Sequence, residues 1–184
     1  MLGLSGVLWA VYLAGFAVNH LRVRRRGEHR ERRLRAARSS EIGMALQFAS
    51  VALAYAWRRP QEAAGWLAFA SVALALGAIL LNHYALAHLG RQWRLRAVIG
   101  EDHELVETGP YRWVRHPVYT AFFLMLAATI SMVSDWRGGA LAAVLFVLGT
   151  EIRIRAEEKL LVERFGRRYL DYRSRTPAWL PPLH

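Results

Sequence analysis

Residues 103–119 read HELVETGPYRWVRHPVY, a polar segment with two prolines, two arginines and two histidines that leads directly into an apolar run. A proline biases the residue before it toward extended backbone and suits the first turn of a helix that follows. Gly109 and His116 are therefore expected turn points, joined by a short rigid connector. Arg112, Arg115 and His116 offer hydrogen-bond donors along it, while Tyr111, Trp113 and Val114 offer apolar anchors. The segment reads as an anion-binding bracket. Any one of these cations taken alone is better explained as a contact with lipid phosphate. The whole set is not, because surface decoration has no need of two prolines to hold its backbone.

Outward from this connector the chain alternates between charge-free runs and charged segments. Residues 1–21, 42–57, 63–90, 117–134 and 138–150 contain no Asp, Glu, Lys or Arg, within a composition that is 54% hydrophobic and 21% charged. A membrane helix needs about 20 apolar residues. The expectation is an all-α integral membrane helical bundle with about five transmembrane helices, forming one membrane domain over residues 1–184. Three spans occupy residues 1–89 and two lie in residues 90–184. The first run lacks a basic leader and is expected to remain as an anchor. The fifth run is too short to cross alone, so its helix must continue into EIRIRAEEKLLVERFG at 151–166 and carry ionisable residues to the membrane boundary.

A net charge of +11 raises the question of nucleic acid, but cytoplasmic loops of membrane proteins are enriched in Lys and Arg, which explains most of it. Nine arginines lie between Arg22 and Arg38 against Glu28 and Glu31. This basic loop, 22–40, is read as an amphipathic or solvated helix on the anionic inner leaflet. It places the N-terminus outside and the connector and C-terminus in the cytoplasm, and no nucleic-acid partner is expected. An extended piece is expected over 94–99. There are no cysteines, so disulfides, thiolate metal sites and a cysteine nucleophile are excluded. His83 and His88, five apart, do not share a helical face. No metal is expected, and Asn82, His83 and His88 are read as interfacial hydrogen-bonding groups.

On a helical wheel, Ile154, Leu161, Val162 and Phe165 gather on one side, with Glu151 and Glu158 among them and Arg155 at the border. Glu157 shares a neighbouring face with Arg153. A carboxylate on an apolar stripe needs a partner: an arginine from the connector or a bound cation. Trp179 and Leu180, between Pro177 and Pro181, are expected to fold back onto the bundle or membrane. A cationic, aromatic connector facing two adjacent glutamates at the lipid edge suits a dipolar ligand and a second, greasy one entering from the side. Transfer of a small group from a polar donor to a lipid-like acceptor fits that pocket.

Leu105-Val106, Thr108-Gly109-Pro110-Tyr111-Arg112, Arg115-His116-Pro117 and Tyr119 form one motif block. Arg153, Glu157-Glu158, Leu161, Phe165-Gly166, Tyr169 and Tyr172 form a second. In this order and spacing, the C-terminal half resembles the isoprenylcysteine carboxyl methyltransferase family and the related membrane phospholipid methyltransferases. The resemblance implies S-adenosylmethionine-dependent methyl transfer, with S-adenosylhomocysteine as product, on the cytoplasmic face of what is expected to be a bacterial cytoplasmic membrane. It implies that His103, Leu105, Tyr111, His116 and Tyr119 line the cofactor, and that Arg153, Glu157 and Glu158 complete the catalytic site. The implied acceptor is a lipophilic or prenylated carboxylate. Phospholipid amine methylation is the alternative, and a non-catalytic membrane protein that recruits partners through its basic segment is a third reading. Ala121 stands where the family usually has glycine, so its methyl is expected either to tighten a helix contact or to narrow the pocket.

Overall fold

A computed structural model of the chain describes residues 1–25, 35–36, 39–59, 65–93, 98–99 and 104–180. Helices α1 (Leu2–Arg25), α2 (Ser39–Ala56), α3 (Gly65–Leu89), α4 (Pro117–Val133) and α5 (Trp136–Phe165) are the long elements, followed by α6 (Arg167–Arg175). Each charge-free run becomes one long helix. The fifth continues without a break from its apolar half into its charged half, as its length required. Pro117 opens α4 at the first helical position, and the Asp135 carboxylate caps α5 by accepting from the backbone N–H of Arg137 at 2.7 Å and Gly138 at 3.0 Å.

By length and composition α1 and α3 qualify on their own as membrane-crossing helices, and α4 is a shorter apolar helix. Large apolar side chains cover the outside of the bundle: Trp66, Phe69 and Leu80 on α3 are all more than two-thirds exposed. Trp57, Trp66 and Trp136 are exposed near the turns at one end of the bundle, and Trp113 is exposed near the connector.

The helices pack as two groups. In one, α3 lies along α4 and α1 leans on α3; in the other, α2 lies along α5. The second contact is the tighter. A Cβ built on Gly43 would sit 2.5 Å from the carbonyl oxygen of Gly149, and one on Gly149 would sit 2.6 Å from that of Gly43. Small residues let the two backbones touch. Within the same contact Gln47 Nε2 donates to Thr150 Oγ1 at 2.9 Å, both residues being buried. At the turn end Arg59 donates to the carbonyls of Ser134 at 3.0 Å and Ser131 at 2.8 Å, and Ser134 Oγ donates to Trp57 O at 3.1 Å. The α2 end and the α4–α5 turn are thereby knitted together, which leaves little room for a site.

Two expectations change. Arg35–Ala36 is not helical: it forms strand β1, paired antiparallel with β2 (Val98–Ile99), with Arg35 opposite Ile99. The extended piece expected over 94–99 supplies the partner, and its ladder bonds hold that part of the basic segment out of helix. The remainder of the segment beyond α1 lies outside the described residues, as do Glu101, Asp102 and His103. Asn82 is not interfacial either: it is fully buried and donates to Tyr12 O at 3.3 Å, so it binds α3 to α1. His88 does sit by the connector, with its Nδ1 3.3 Å from Thr108 Oγ1. Its ring would lie 2.5 Å from any Cβ at residue 109, which has φ +60, so only glycine serves there.

Candidate active site

The connector turns where the glycine and prolines predicted. Gly109–Arg112 is a single tight helical turn with Pro110 in its first positions, and His116, at φ -128 and ψ 61, breaks the chain before α4. What fixes the connector from below is the C-terminal tail. Arg115 N donates to Pro177 O at 2.9 Å and His116 N to Ala178 O at 2.8 Å, a strand-like pairing that the polar pattern of the tail did not reveal. Tyr172 Oη donates to Tyr111 O at 2.5 Å, and the Arg115 guanidinium reaches the carbonyls of Arg173 and Thr176. Trp179 is buried against Phe123 and Phe146 and donates from Nε1 to Glu151 Oε1 at 3.1 Å. It folds back as expected. Leu180 is half-exposed.

Above this clamp the connector meets α5. Arg115 donates from Nε at 2.9 Å and from NH2 at 2.6 Å to Glu158 Oε1, and Arg173 Nε lies 3.4 Å from Glu158 Oε2. The connector arginine is thus the partner that the buried carboxylate required. The wheel placed Arg155 beside Glu158. In the fold Arg155 is 83% exposed and its nearest carboxylate is Glu151 at 4.0 Å, because Glu158 turns toward the connector and tail rather than along its own helix.

Glu157 takes the neighbouring face. Tyr119 Oη donates to its Oε1, Arg153 NH2 stands 3.7 Å from the same oxygen, and His116 Nδ1 lies 3.5 Å from Oε2. Arg153 Nε donates to Tyr119 Oη at 2.7 Å, and its guanidinium lies 5.4 Å from the centre of the Tyr119 ring. His116 and Tyr119 stack with ring centres 5.8 Å apart. His116, Glu157 and Glu158 lie beyond the apolar parts of α4 and α5. Burial works against charge at all three, yet mutual contacts win. His116 is held above its ordinary pKa of 6.5 because its bonds and proximity to Glu157 and Glu158 outweigh desolvation. Glu157 is held below 4.5 against desolvation, chiefly by His116 and then Arg153 and Tyr119. Glu158, likewise opposed by burial, is lowered to about 2 by His116 and Arg115.

This cluster walls one end of a cavity of about 610 Å³, a size typical of small-molecule sites. Leu105, Tyr111, His116, Tyr119, Arg153 and Glu157 all line it. Glu158 stands behind the wall, holding Arg115 and His116. His103 lies outside the described residues. Ala121 is fully buried in the α1–α3–α4 packing, with Ala75, Ala78 and Met125 in the same cluster, and is not among the lining residues; its methyl tightens the helix contact. The sequence reading missed the other end of the cavity, formed by Trp9, Phe16, Met44, Phe48, Val51 and Phe122. A signal was present: Trp9, Tyr12 and Phe16 fall at helical spacing on one face of α1.

The donors present fit a zwitterionic methyl donor. His116 Nε2 is buried without a hydrogen-bond partner, although it is 3.5 Å from Glu158 Oε1. That nitrogen faces Glu158 behind the wall, so what His116 brings to the cavity is its positive charge, alongside the guanidinium groups of Arg115 and Arg153, which suits a carboxylate, while Glu157 and the Tyr111 and Tyr119 rings suit positive charge.

A family model described as the isoprenylcysteine carboxyl methyltransferase (ICMT) family matches residues 71–163. Among curated proteins, the chain is 30% identical over 103 residues to the uncharacterized protein YpbQ of Bacillus subtilis, covering 56% of this chain and 60% of that one. It is 34% identical over 113 residues to the nickel-cobalt-cadmium resistance protein NccN of Alcaligenes xylosoxydans xylosoxydans, covering 61% and 53%. It is 30% identical over 118 residues to protein-S-isoprenylcysteine O-methyltransferase of Rattus norvegicus, covering 63% and 42%. The chain spans about half the length of the curated relatives it matches. A solved structure of the eukaryotic intramembrane Ras methyltransferase ICMT shares the fold with a TM-score of 0.56 at 23% identity, over 78% of this chain and 50% of that one.

Proposed function

Because the chain belongs to the isoprenylcysteine carboxyl methyltransferase family, we propose that it transfers a methyl group from S-adenosylmethionine to the carboxylate of a lipophilic acceptor. The observation that carries the choice of acceptor is the buried guanidinium of Arg153 on the cavity wall. Amine methylation requires a base to remove a proton. Glu157 is already engaged by Tyr119, Arg153 and His116, and Glu158 by Arg115, so neither carboxylate is free to take one. A carboxylate acceptor has no proton to lose, and what it needs is a cation to orient it. Arg153, 5% exposed and lining the cavity, is that cation.

When bound, S-adenosylmethionine supplies an electrophilic methyl on a sulfonium. The positive charge of His116 and Arg115 on the wall would hold its carboxylate, with Leu105, Tyr111 and Tyr119 along its body. Arg153 binds the acceptor carboxylate, Tyr119 Oη keeps the guanidinium in register, and Glu157 balances charge beside the donor's positive end. Glu158 acts through Arg115 and His116 as a positioning residue. Alignment of the two reactants supplies much of the rate, and the many bonds within the cluster serve that end.

The proposed setting is a membrane crossed five times, with the N-terminus outside and the cluster on the cytoplasmic side. Its support is the two spans long enough on their own, the apolar exterior, the exposed tryptophans at both ends and the basic loop. Calorimetry on the purified protein tests donor binding: S-adenosylmethionine and S-adenosylhomocysteine both give heat in this reading, and absence of heat for either leaves the partner-recruiting alternative. Labelled methyl incorporated into an extract and then released by mild alkali identifies an ester; alkali-stable label identifies the amine.

A further inference from the structure

The apolar end of the cavity narrows toward a contact between α1 and α2, and its geometry bears on the length of the acceptor. Ser5 Oγ and Tyr55 Oη are hydrogen-bonded across α1 and α2, yet among the described residues these two helices make almost no other close approach. They form a wedge, pinned at Ser5–Tyr55 and open toward the polar cluster. Trp9 stands one helical turn inside the pin. Its Nε1 donates to Thr129 Oγ1 at 2.9 Å, and its ring meets Phe122 edge-on at 5.7 Å and Tyr12 at 5.6 Å. An indole held at its polar edge by one helix and across its faces by two other rings is a fixed bar.

The two walls agree on the depth of the slot. On α1 the lining residues run from Phe16 to Trp9, and on α2 from Met44 to Val51. Each stretch rises about 10 Å at 1.5 Å per residue. Half of a ~30 Å hydrocarbon core is about 15 Å, so the slot is shorter than one leaflet. Phe122 lies one turn along α4 from Tyr119, and so links the bar to the residue that holds the Arg153 guanidinium. The geometry points to Trp9 as a stop that limits the apolar tail of the acceptor to about 10 Å, roughly two-thirds of a leaflet. The preferred substrate class is therefore a carboxylate with one short or compact apolar group rather than a full-length lipid chain. This rests on the carboxyl-methylation reading above.

A series of N-acetyl-S-alkylcysteines from butyl to hexadecyl, titrated into the full-length protein in nanodiscs with S-adenosylhomocysteine present, tests it by affinity. Binding should tighten about fourfold per added methylene, equivalent to ~0.8 kcal/mol, up to around octyl, and then stop improving. Trp9→Ala should move the break to longer chains. Val51→Phe, on the opposite wall and less prone to unfold the bundle, should move it to shorter ones. Affinity that keeps climbing through dodecyl in the wild type, with the chain leaving sideways between Leu13 and Phe48, overturns the stop; so does a break that neither variant moves. Methyl transfer is read separately on the same compounds. A break that moves as stated without any methyl transfer supports the slot and refutes the carboxyl-methylation reading; transfer without a break does the reverse.

Discussion

The two ends of the cavity are held by different physics. At the charged end each ionisable side chain answers to several others: Arg115 reaches Glu158 and two tail carbonyls, and Glu157 is approached by Tyr119, Arg153 and His116. At the aromatic end the wedge between α1 and α2 is apolar and, among the described residues, held by one side-chain pin and one indole bond. A buried charge cluster is sensitive to the loss of any member, because what remains is an uncompensated charge. An aromatic wall is tolerant, since removal of one ring costs contacts but leaves no charge stranded. The first end is suited to fixing reacting atoms, and the second to seating a tail whose length its rings set.

The sharpest way to break that contrast is at Arg153. Arg153→Leu should lower methyl transfer by roughly 100-fold, the loss of a charge-assisted contact to the acceptor. Retention of full transfer, measured with labelled donor, would show the acceptor is held elsewhere. Next comes Glu158→Gln, which strands Arg115 among the tail carbonyls. It should cost about 3 kcal/mol, seen as a melting temperature roughly 6–12 °C lower in detergent. Gly149→Ala tests the backbone contact that sets the α2 wall: a Cβ 2.6 Å from Gly43 O forces the helices apart, at about 2 kcal/mol. Trp179→Phe keeps the packing against Phe146 and loses only the bond to Glu151, about 1 kcal/mol.

The cluster also fixes a pH response. His116 is raised above 6.5 in the fold, so its contribution to stability is complete below pH 6.5 and is lost as pH rises toward and through its folded value. Glu158, lowered from 4.5 to about 2, contributes above pH 4.5 and loses that contribution as pH falls toward 2. Melting temperature should therefore decline as pH rises above 6.5, and His116→Gln should flatten that decline and, because His116 helps hold Glu158 down, shrink the acid limb as well.

Much of the fold was legible because charge-free runs are a one-dimensional signal, and each became a helix with ends near the predicted ones. The connector was legible because proline and glycine act locally. The pairing of Glu158 was half legible: burial demanded a partner, but a helical wheel sees only its own helix and offered Arg155, whereas the partner came from 43 residues away. The strand at Arg35–Ala36 and the backbone pairing of Arg115 and His116 with Pro177 and Ala178 depend on hydrogen bonds between distant segments, which leave no periodicity. The wedge was missed for another reason. Trp9 and Phe48 on membrane helices read equally as lipid-facing residues, and only the divergence of α1 from α2 gives them a cavity to line.

The central claim is that the charged cluster and the aromatic wedge form one chamber, with an acceptor's acid at the first and its tail in the second. An N-acetyl-S-octylcysteine carrying a diazirine at the end of its tail, photolysed on the protein in nanodiscs and mapped by mass spectrometry, measures this directly. Adducts on α1 and α2 around Trp9, Phe48 and Val51, diminished by Arg153→Leu, are the predicted result. Adducts confined to α6 or to the outer faces of α3, unchanged by that substitution, would contradict it.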